Sequence, residues 1–493
     1  MKYFENLQEY IKYLRTENEV IEFDSLVSKN LMITEIADRV VKKSGKTLIF
    51  NKVVHENGNI LDIPLVINLF GTKDKMTKAL GVVDLKDIAD RITKLLTLKP
   101  PTKGLWSKLE MIPQLKELLN FPPKEVKKGR CQEIVYEGEQ VNLDILPILK
   151  CWPDDAGNFV TLPMVITKDP ETGVTNCGMY RMQQFDKNST GMHWHRHKGG
   201  AVHYEKAKKL GKKLEVAVVI GTDPATLYTA SAPLPPDIPE FIFSGFLRNK
   251  NLEIVKCKTL EIMVPANAEI ILEGYVDPQE ELRIEGKFGD HTGYYSLEDY
   301  YPVFHVTCIT TAKKPIYPAT IVGIPPMEDF WMGFATERIF LPLLKLNLPE
   351  VTDMHMPPEG VFHNLIFLSI KKRYPGQAQK VINAVWGTGL MMLSKVVVVV
   401  DDDTDVTNPT EAWWVALNNI DPERDIIFSK GPIDVLDHAS REFTFGSKMG
   451  IDGTRKWKEE GFHRRWPEKV IMSDDIKKKV DQFFEDNNLK DVL

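Results

Sequence analysis

Apolar positions change their spacing along the chain, and the changes divide it into regions. Near the start, Leu7, Tyr10, Ile11 and Leu14 recur at helical spacing, as do Met32, Ile33, Ile36, Ala37 and Val40. That spacing lines one face of a helix with apolar side chains. Strand-like runs follow at 47–50 and 64–69. Proline pairs at 100–101 and 122–123 bracket a short helical stretch. Paired prolines block helix continuation, so they mark the end of a first α/β region over 1–124.

From 125 to 315 the pattern becomes strand-like. Runs at 163–167 and 174–182 flank Asp169-Pro170-Glu171-Thr172-Gly173, a turn composition that predicts a hairpin. Further strands are expected at 214–220, 253–257, 268–276 and 302–310, with helices near 203–210 and 238–248. An antiparallel sheet or barrel with inserted helices fits this pattern. From 316 to 470 strands and helices alternate, with a helix at 375–386, a strand at 395–400 and a helix at 410–418. That alternation predicts a second α/β unit around a parallel sheet. Residues 396–400 are five valines, followed at once by Asp401, Asp402 and Asp403. Such a run reads as a buried parallel strand. The last stretch, 471–493, carries a charged amphipathic helix over 474–484, placed either on a neighbouring subunit or back on its own unit.

Composition narrows the function classes. The 493 residues carry 69 acidic and 63 basic side chains, a net charge of −6, with 43% hydrophobic residues. No basic patch stands out, which argues against a nucleic-acid partner. The lysine-rich runs at 206–213 and 477–479 read as solvated helix faces. Five cysteines, odd in number and without a CxxC, argue against a disulfide scaffold or a structural zinc site and point to a reducing cytoplasm. Met1-Lys2-Tyr3-Phe4-Glu5 lacks the apolar core of a signal peptide, and no run reaches the roughly 18–20 apolar residues of a membrane span.

Candidate chemistry concentrates in three stretches: Thr175 to Arg181, Gly191 to Ala201, and Glu285 to Tyr295. In the second, His193, His195 and His197 alternate, so on a strand they would share one face. An exposed polar strand edge would show the same alternation. In the third, Glu285 and Asp290 flank a glycine-rich bend. If both faced one cavity, repulsion and burial would raise at least one pKa and keep a carboxylic acid protonated for proton delivery. Arg181 could balance the pair and grip an anionic substrate. Solvated acids on an ordinary turn are the competing reading.

Taken in order, these stretches resemble the signature of the UbiD decarboxylases, most closely the bacterial members acting on 4-hydroxy-3-polyprenylbenzoate. The likeness also rests on Pro357-Pro358-Glu359-Gly360 and on Gly446-Ser447-Lys448-Met449-Gly450-Ile451-Asp452, and spans nearly the whole chain. It implies an N-terminal α/β region, a central split β-barrel that binds prenylated FMN, and a C-terminal α/β domain. By position, the resemblance implies Asn176, His197 and Glu240 as ligands of Mn²⁺ or Mg²⁺, with potassium as a further cation. Oxygen and imidazole donors suit such hard cations. It implies cofactor contacts at Met179, Tyr180, Arg181, His193, Trp194, His195, Lys198, Gly199 and Lys448. Several relatives carry Arg where His193 and Lys198 stand. Arg181, Glu285 and Asp290 match the catalytic Arg–acid–acid group, with Asp290 as the proton donor.

The implied activity is non-oxidative decarboxylation of an aromatic carboxylic acid in ubiquinone-type quinone biosynthesis. A flavin prenyltransferase would supply the cofactor. A cytoplasmic homodimer or homohexamer is expected, without a transmembrane segment and with peripheral membrane contact left open. The alternatives are a reversible (de)carboxylase of a hydroxybenzoate or dihydroxynaphthoate, a plain-FMN split-barrel oxidoreductase, and a non-catalytic flavin-binding subunit.

Overall fold

The opening helix, Leu7–Thr16, begins where Asn6 accepts a hydrogen bond from the Glu9 backbone N–H at 2.9 Å. This satisfies one of the free donors of the first turn. Its predicted apolar positions, Leu7, Tyr10, Ile11 and Leu14, are all buried. The helix Met32–Lys43 also matches its predicted spacing. The computed structural model describes residues 3–97, 118–195, 199–234, 238–487 and 489. The helical stretch expected between the two proline pairs falls largely outside them, as do His197 and Lys198.

The first sheet runs Val20–Ser28, Thr47–Val54, Leu65–Ile67 and Tyr317–Ala319. Its last member comes from beyond the central region and pairs in parallel with Leu65–Ile67. The chain thus returns to its first layer before entering the long helix Glu328–Asn347, which packs against the helix Leu85–Leu96.

The central sheet is antiparallel. Its order is Ser189–Gly191, Val303–Thr311, Ile270–Val276, Leu214–Ile220, Pro163–Lys168 and Thr175–Gly178, with Ile134–Glu137 also on Val303–Thr311. The predicted hairpin forms the Pro163–Lys168 and Thr175–Gly178 pair. No ladder joins the two end strands, so the barrel is not closed among the described residues. A single bridge, Gln184 to Thr190, spans near the gap.

The third sheet has the order Val351–His355, Leu365–Ile370, Val396–Asp401, Phe445–Asp452 and Ile426–Pro432. Its three middle strands are parallel, and Val397, Val398, Val399 and Val400 are fully buried, as the valine run predicts. The helices Gln377–Trp386 and Pro409–Asn419 cover it. The terminal helix Asp474–Asp486 buries none of its residues in the chain. Among the described residues no helix is long and apolar enough to cross a membrane.

Candidate active site

Both open ends of the central sheet feed one cluster. Arg181 follows the edge strand Thr175–Gly178, and His193 follows the opposite edge strand Ser189–Gly191. Glu285 ends the short strand Arg283–Glu285. The Arg181 guanidinium donates from Nε to Glu285 Oε1 at 2.9 Å, from one Nη to Asp290 Oδ2, and from the other Nη to Ser296 Oγ at 3.1 Å. His193 Nδ1 donates to the same Glu285 Oε1 at 2.7 Å. The loop between the two acids is pinned from outside. Asp155 accepts from the Gly289 N–H at 2.7 Å, and Gln183 accepts from the Gly286 N–H at 2.9 Å. The Phe288 ring lies under the guanidinium, 4.8 Å from ring centre to Cζ.

The two carboxylates meet, but the expected rise in pKa does not follow. Burial pushes Glu285 up, and the Arg181 charge and the hydrogen bond from His193 more than offset it, so its carboxyl sits below the ordinary range. Burial acts on Asp290 in the same direction. Arg181 and a hydrogen-bonded His291 outweigh it and hold Asp290 well below the usual carboxylate range. The guanidinium between the acids reverses the sign that two unaccompanied carboxylates would have produced. Glu285 Oε2 is buried without a hydrogen-bond partner among the described residues.

His193 and His195 come together, though not on a strand. The chain beyond Gly191 is irregular, and the Trp194 N–H bonds the Met192 carbonyl. The two rings lie 4.5 Å apart and share a hydrogen bond between their Nε2 atoms. Burial, then the Arg181 charge, lowers the His193 pKa. A neutral His193 that donates from Nδ1 accepts at Nε2, which makes His195 the donor.

A second cluster lies behind the first. Among the described residues Asn176 Nδ2 is buried without a hydrogen-bond partner, and Tyr180 interacts with the Asn176 side chain and the Gly200 backbone. Glu240, the first residue of the helix Glu240–Arg248, is pushed up to about 7 by burial, with only backbone N–H groups in opposition. Gly199 fits closely here, since a Cβ on it would lie 2.0 Å from Asn176 Oδ1. Gly200 does the same beside Trp194, whose Nε1 would be 2.6 Å from such a Cβ. Trp194 Nε1 is itself without a hydrogen-bond partner among the described residues. The open N–H donors of Asn176 and Trp194 fit an anionic or polar cofactor group, and the Glu240 carboxylate with Asn176 Oδ1, facing no counter-charge among the described residues, fits a hard cation.

Lys448 does not join either cluster. It is 2% exposed, and its Nζ donates to the carbonyls of Met392 and Ser394. Burial lowers its pKa to about 8.

Met179, Trp194 and His195 open onto a cavity of about 1210 Å³ between the central and third sheets. Its far wall is largely apolar, with Met332, Phe340, Leu344, Met354, Ile366 and Met391 among the lining. The polar lining includes residues the sequence left unassigned, among them His291, Tyr301, His363 and Asp434. His291 stood inside a recognised motif without a role. The others gave no local signal, because they meet the site only through tertiary contacts.

Comparison with known proteins supplies a frame for this geometry. Three family models match: the 3-octaprenyl-4-hydroxybenzoate carboxy-lyase N-terminal domain at residues 11–93, its Rift-related domain at 124–325 and its C-terminal domain at 330–453. The chain is 50% identical to an uncharacterized protein of Archaeoglobus fulgidus, over 99% of both chains. It is 51% identical to another from Aquifex aeolicus, over 98% of both. Among solved structures it is similar to the vanillic acid decarboxylase of Sedimentibacter hydroxybenzoicus in closed form. There the TM-score is 0.84 at 25% identity, over 98% of this chain and 100% of the other. It is also similar to the UbiD-class enzyme HmfF of Pelotomaculum thermopropionicum in complex with prFMN, with a TM-score of 0.75 at 25% identity, over 94% and 97%. The Arg–acid–acid cluster, the three matched family models and the whole-chain likeness to decarboxylases converge: the chain belongs to the UbiD family and is a carboxy-lyase.

Proposed function

We propose that the chain decarboxylates an aromatic acid bearing a bulky apolar substituent, with prenylated FMN as cofactor. The first candidate is 4-hydroxy-3-polyprenylbenzoate, in a ubiquinone-type quinone route. The cavity carries this reading. At about 1210 Å³ with an apolar far wall, it exceeds the roughly 300–1,000 Å³ of ordinary ligand pockets. Part of that volume belongs to the cofactor beside Met179, Trp194 and His195, and the apolar far wall beyond them suits an apolar substituent on the acid.

Asn176 and Glu240 would hold Mn²⁺ or Mg²⁺, with His197 as the third ligand. Met179, Tyr180, Trp194, His195, Lys198 and Gly199 would flank the cofactor. When bound, prenylated FMN supplies the electron sink that loss of CO₂ from an sp² carbon requires. The chain's own residues bind, orient and move the proton. Arg181 spends three of its five N–H donors on Glu285, Asp290 and Ser296, fixing both acids and leaving two for a substrate carboxylate. Asp290 delivers the proton to the ring carbon, with Glu285 in reserve.

The test is co-expression with a flavin prenyltransferase, followed by a screen of aromatic acids for CO₂ release. Turnover of prenylated hydroxybenzoates above their unprenylated parents is the expected result. Preference for a small hydroxybenzoate or a dihydroxynaphthoate would overturn the substrate assignment. Full turnover in a strain lacking the prenyltransferase would overturn the cofactor.

A further inference from the structure

The site as built poses a problem. Asp290 must present a proton, yet it is 6% exposed and paired with Arg181, which favours its ionised form. A decarboxylation consumes one proton for each C–H bond formed. That proton has to reach Asp290 through a neighbour.

The neighbours form a line. His291 Nδ1 lies 2.9 Å from Asp290 Oδ1. On the other side of the same ring, His291 Nε2 lies 3.2 Å from His363 Nε2, the two rings nearly perpendicular. His363 Nε2 lies 3.8 Å from Asp434 Oδ1, and His363 Nδ1 is 3.2 Å from Asn364 Oδ1. Asp290 and His291 belong to the central region. His363 precedes the strand Leu365–Ile370, and Asp434 follows the strand Ile426–Pro432. His291, His363 and Asp434 all line the cavity.

The backbone before His363 is strained in a way that presents it. Val361 and Phe362 have φ of 41° and 68°, the left-handed region that β-branched and bulky residues avoid. Such conformations persist where surrounding structure enforces them. Here the Phe362 ring packs 5.6 Å from the His291 ring and closely over Gly333, where a Cβ would come within 2.6 Å of it.

We infer that His291, His363 and Asp434 form a proton path that recharges Asp290, with His363 as its link to the third sheet. This rests on the decarboxylase reading above. His291 faces Asp290, Asp329, Asp434 and His363, an acidic surround that offsets burial and raises its pKa. His363 faces Asp434, Asp437, Asn364 and the His291 charge, and burial holds it below its ordinary value. The resting proton therefore sits on His291. The cationic His291 gives its Nδ1 proton to Asp290 and becomes neutral. The Asp290 O–H bond then breaks as the ring C–H bond forms, returning Asp290 to the carboxylate. Because His291 Nε2 still holds its proton, the ring turns over to bring the bare nitrogen to His363, and one proton from water, taken up along Asp434 and His363, restores the His291 cation. The net uptake of one proton matches conversion of a carboxylate to CO₂ and an arene.

The experiment uses holoenzyme carrying prenylated FMN and the preferred acid. His363→Asn keeps a polar side chain that cannot carry a proton. Its kcat is expected to fall roughly tenfold or more with KM unchanged, and solvent hydrogen exchange into the product ring to fall alongside it. His363→Ala is expected to regain turnover when imidazole is added. Wild-type kcat, pH profile and exchange in His363→Asn would overturn the path. So would a loss that imidazole does not rescue and that appears mainly in KM. A wild-type holoenzyme that releases no CO₂ from any acid overturns the decarboxylase reading and the path with it. A working wild type beside an unaffected His363→Asn overturns the path alone.

Discussion

The two polar clusters of the central region are built to opposite specifications. Around Arg181 every charge has an answer: the guanidinium meets two carboxylates and a hydroxyl, and both acids are held below their ordinary pKa. Around Asn176 and Glu240 the charges are left open. The Glu240 carboxyl rises to about 7 through burial, and Asn176 Nδ2 has no hydrogen-bond partner among the described residues. The first cluster is preorganised by the chain itself, so its geometry does not depend on a bound group. The second is costly until something cationic fills it, and that cost favours binding.

Removing the central charge of each cluster should separate them most sharply. In cofactor-free protein, Arg181→Met strands two buried carboxylates and should cost on the order of 3–5 kcal/mol in urea unfolding. Glu240→Gln in the same protein removes a desolvated carboxyl that has no cationic partner among the described residues, and stability should hold or rise. Equal losses in the two variants would erase the distinction.

In holoenzyme the contrast should invert. Glu240→Ala should lower divalent-cation and cofactor occupancy together, read by metal analysis and flavin absorbance. Asp290→Asn should keep both and lose turnover by roughly a hundredfold or more. Normal occupancy in Glu240→Ala would detach Glu240 from the cation.

Acid should unfold the first cluster's contribution selectively. Glu285 and Asp290 both titrate below their unfolded values, near 4 for ordinary carboxyls. Their stabilisation is therefore complete above about pH 5 and drains as pH falls through their folded values. The midpoint of thermal unfolding should drop between about pH 5 and pH 2. The drop should be shallower in Arg181→Met, where the pairing is already gone.

The smallest effect concerns Cys177, which neighbours Asn176 and is raised by burial and then by the Glu240 charge. All five cysteines are buried. A thiol reagent should label none of them in native protein and all of them after unfolding. Selective labelling of Cys177 in Glu240→Ala would show that the second cluster loosens locally when its carboxylate is lost.

Much of the architecture was legible because it rests on short-range periodicity. Leu7, Tyr10, Ile11 and Leu14 specify a helix face without help, and residues 396–400 specify a buried strand because nothing else accommodates five valines in a row. The Arg181, Glu285 and Asp290 group was legible as a set of residues because each lies in a chemically dense stretch. Its electrostatics were not, since the sign of a pKa shift depends on which charge lies nearest, and only folding sets those distances. His193 and His195 meet through an irregular bend rather than strand alternation. The resemblance implies Lys448 as a cofactor contact, and two carbonyls from a segment more than fifty residues away hold its Nζ.

The sequence by itself determined the element types, the apolar faces and the family signature, because those depend on the nearest few residues. Only the tertiary structure decided which side chains face one another: that the first sheet recruits Tyr317–Ala319, that both open edges of the central sheet converge on Glu285, and that His363 stands across from His291. These juxtapositions join residues from about 70 to more than 250 positions apart in sequence. Local pattern carries no information at such separations, because long-range contacts are chosen by how whole layers pack and not by what any one segment prefers.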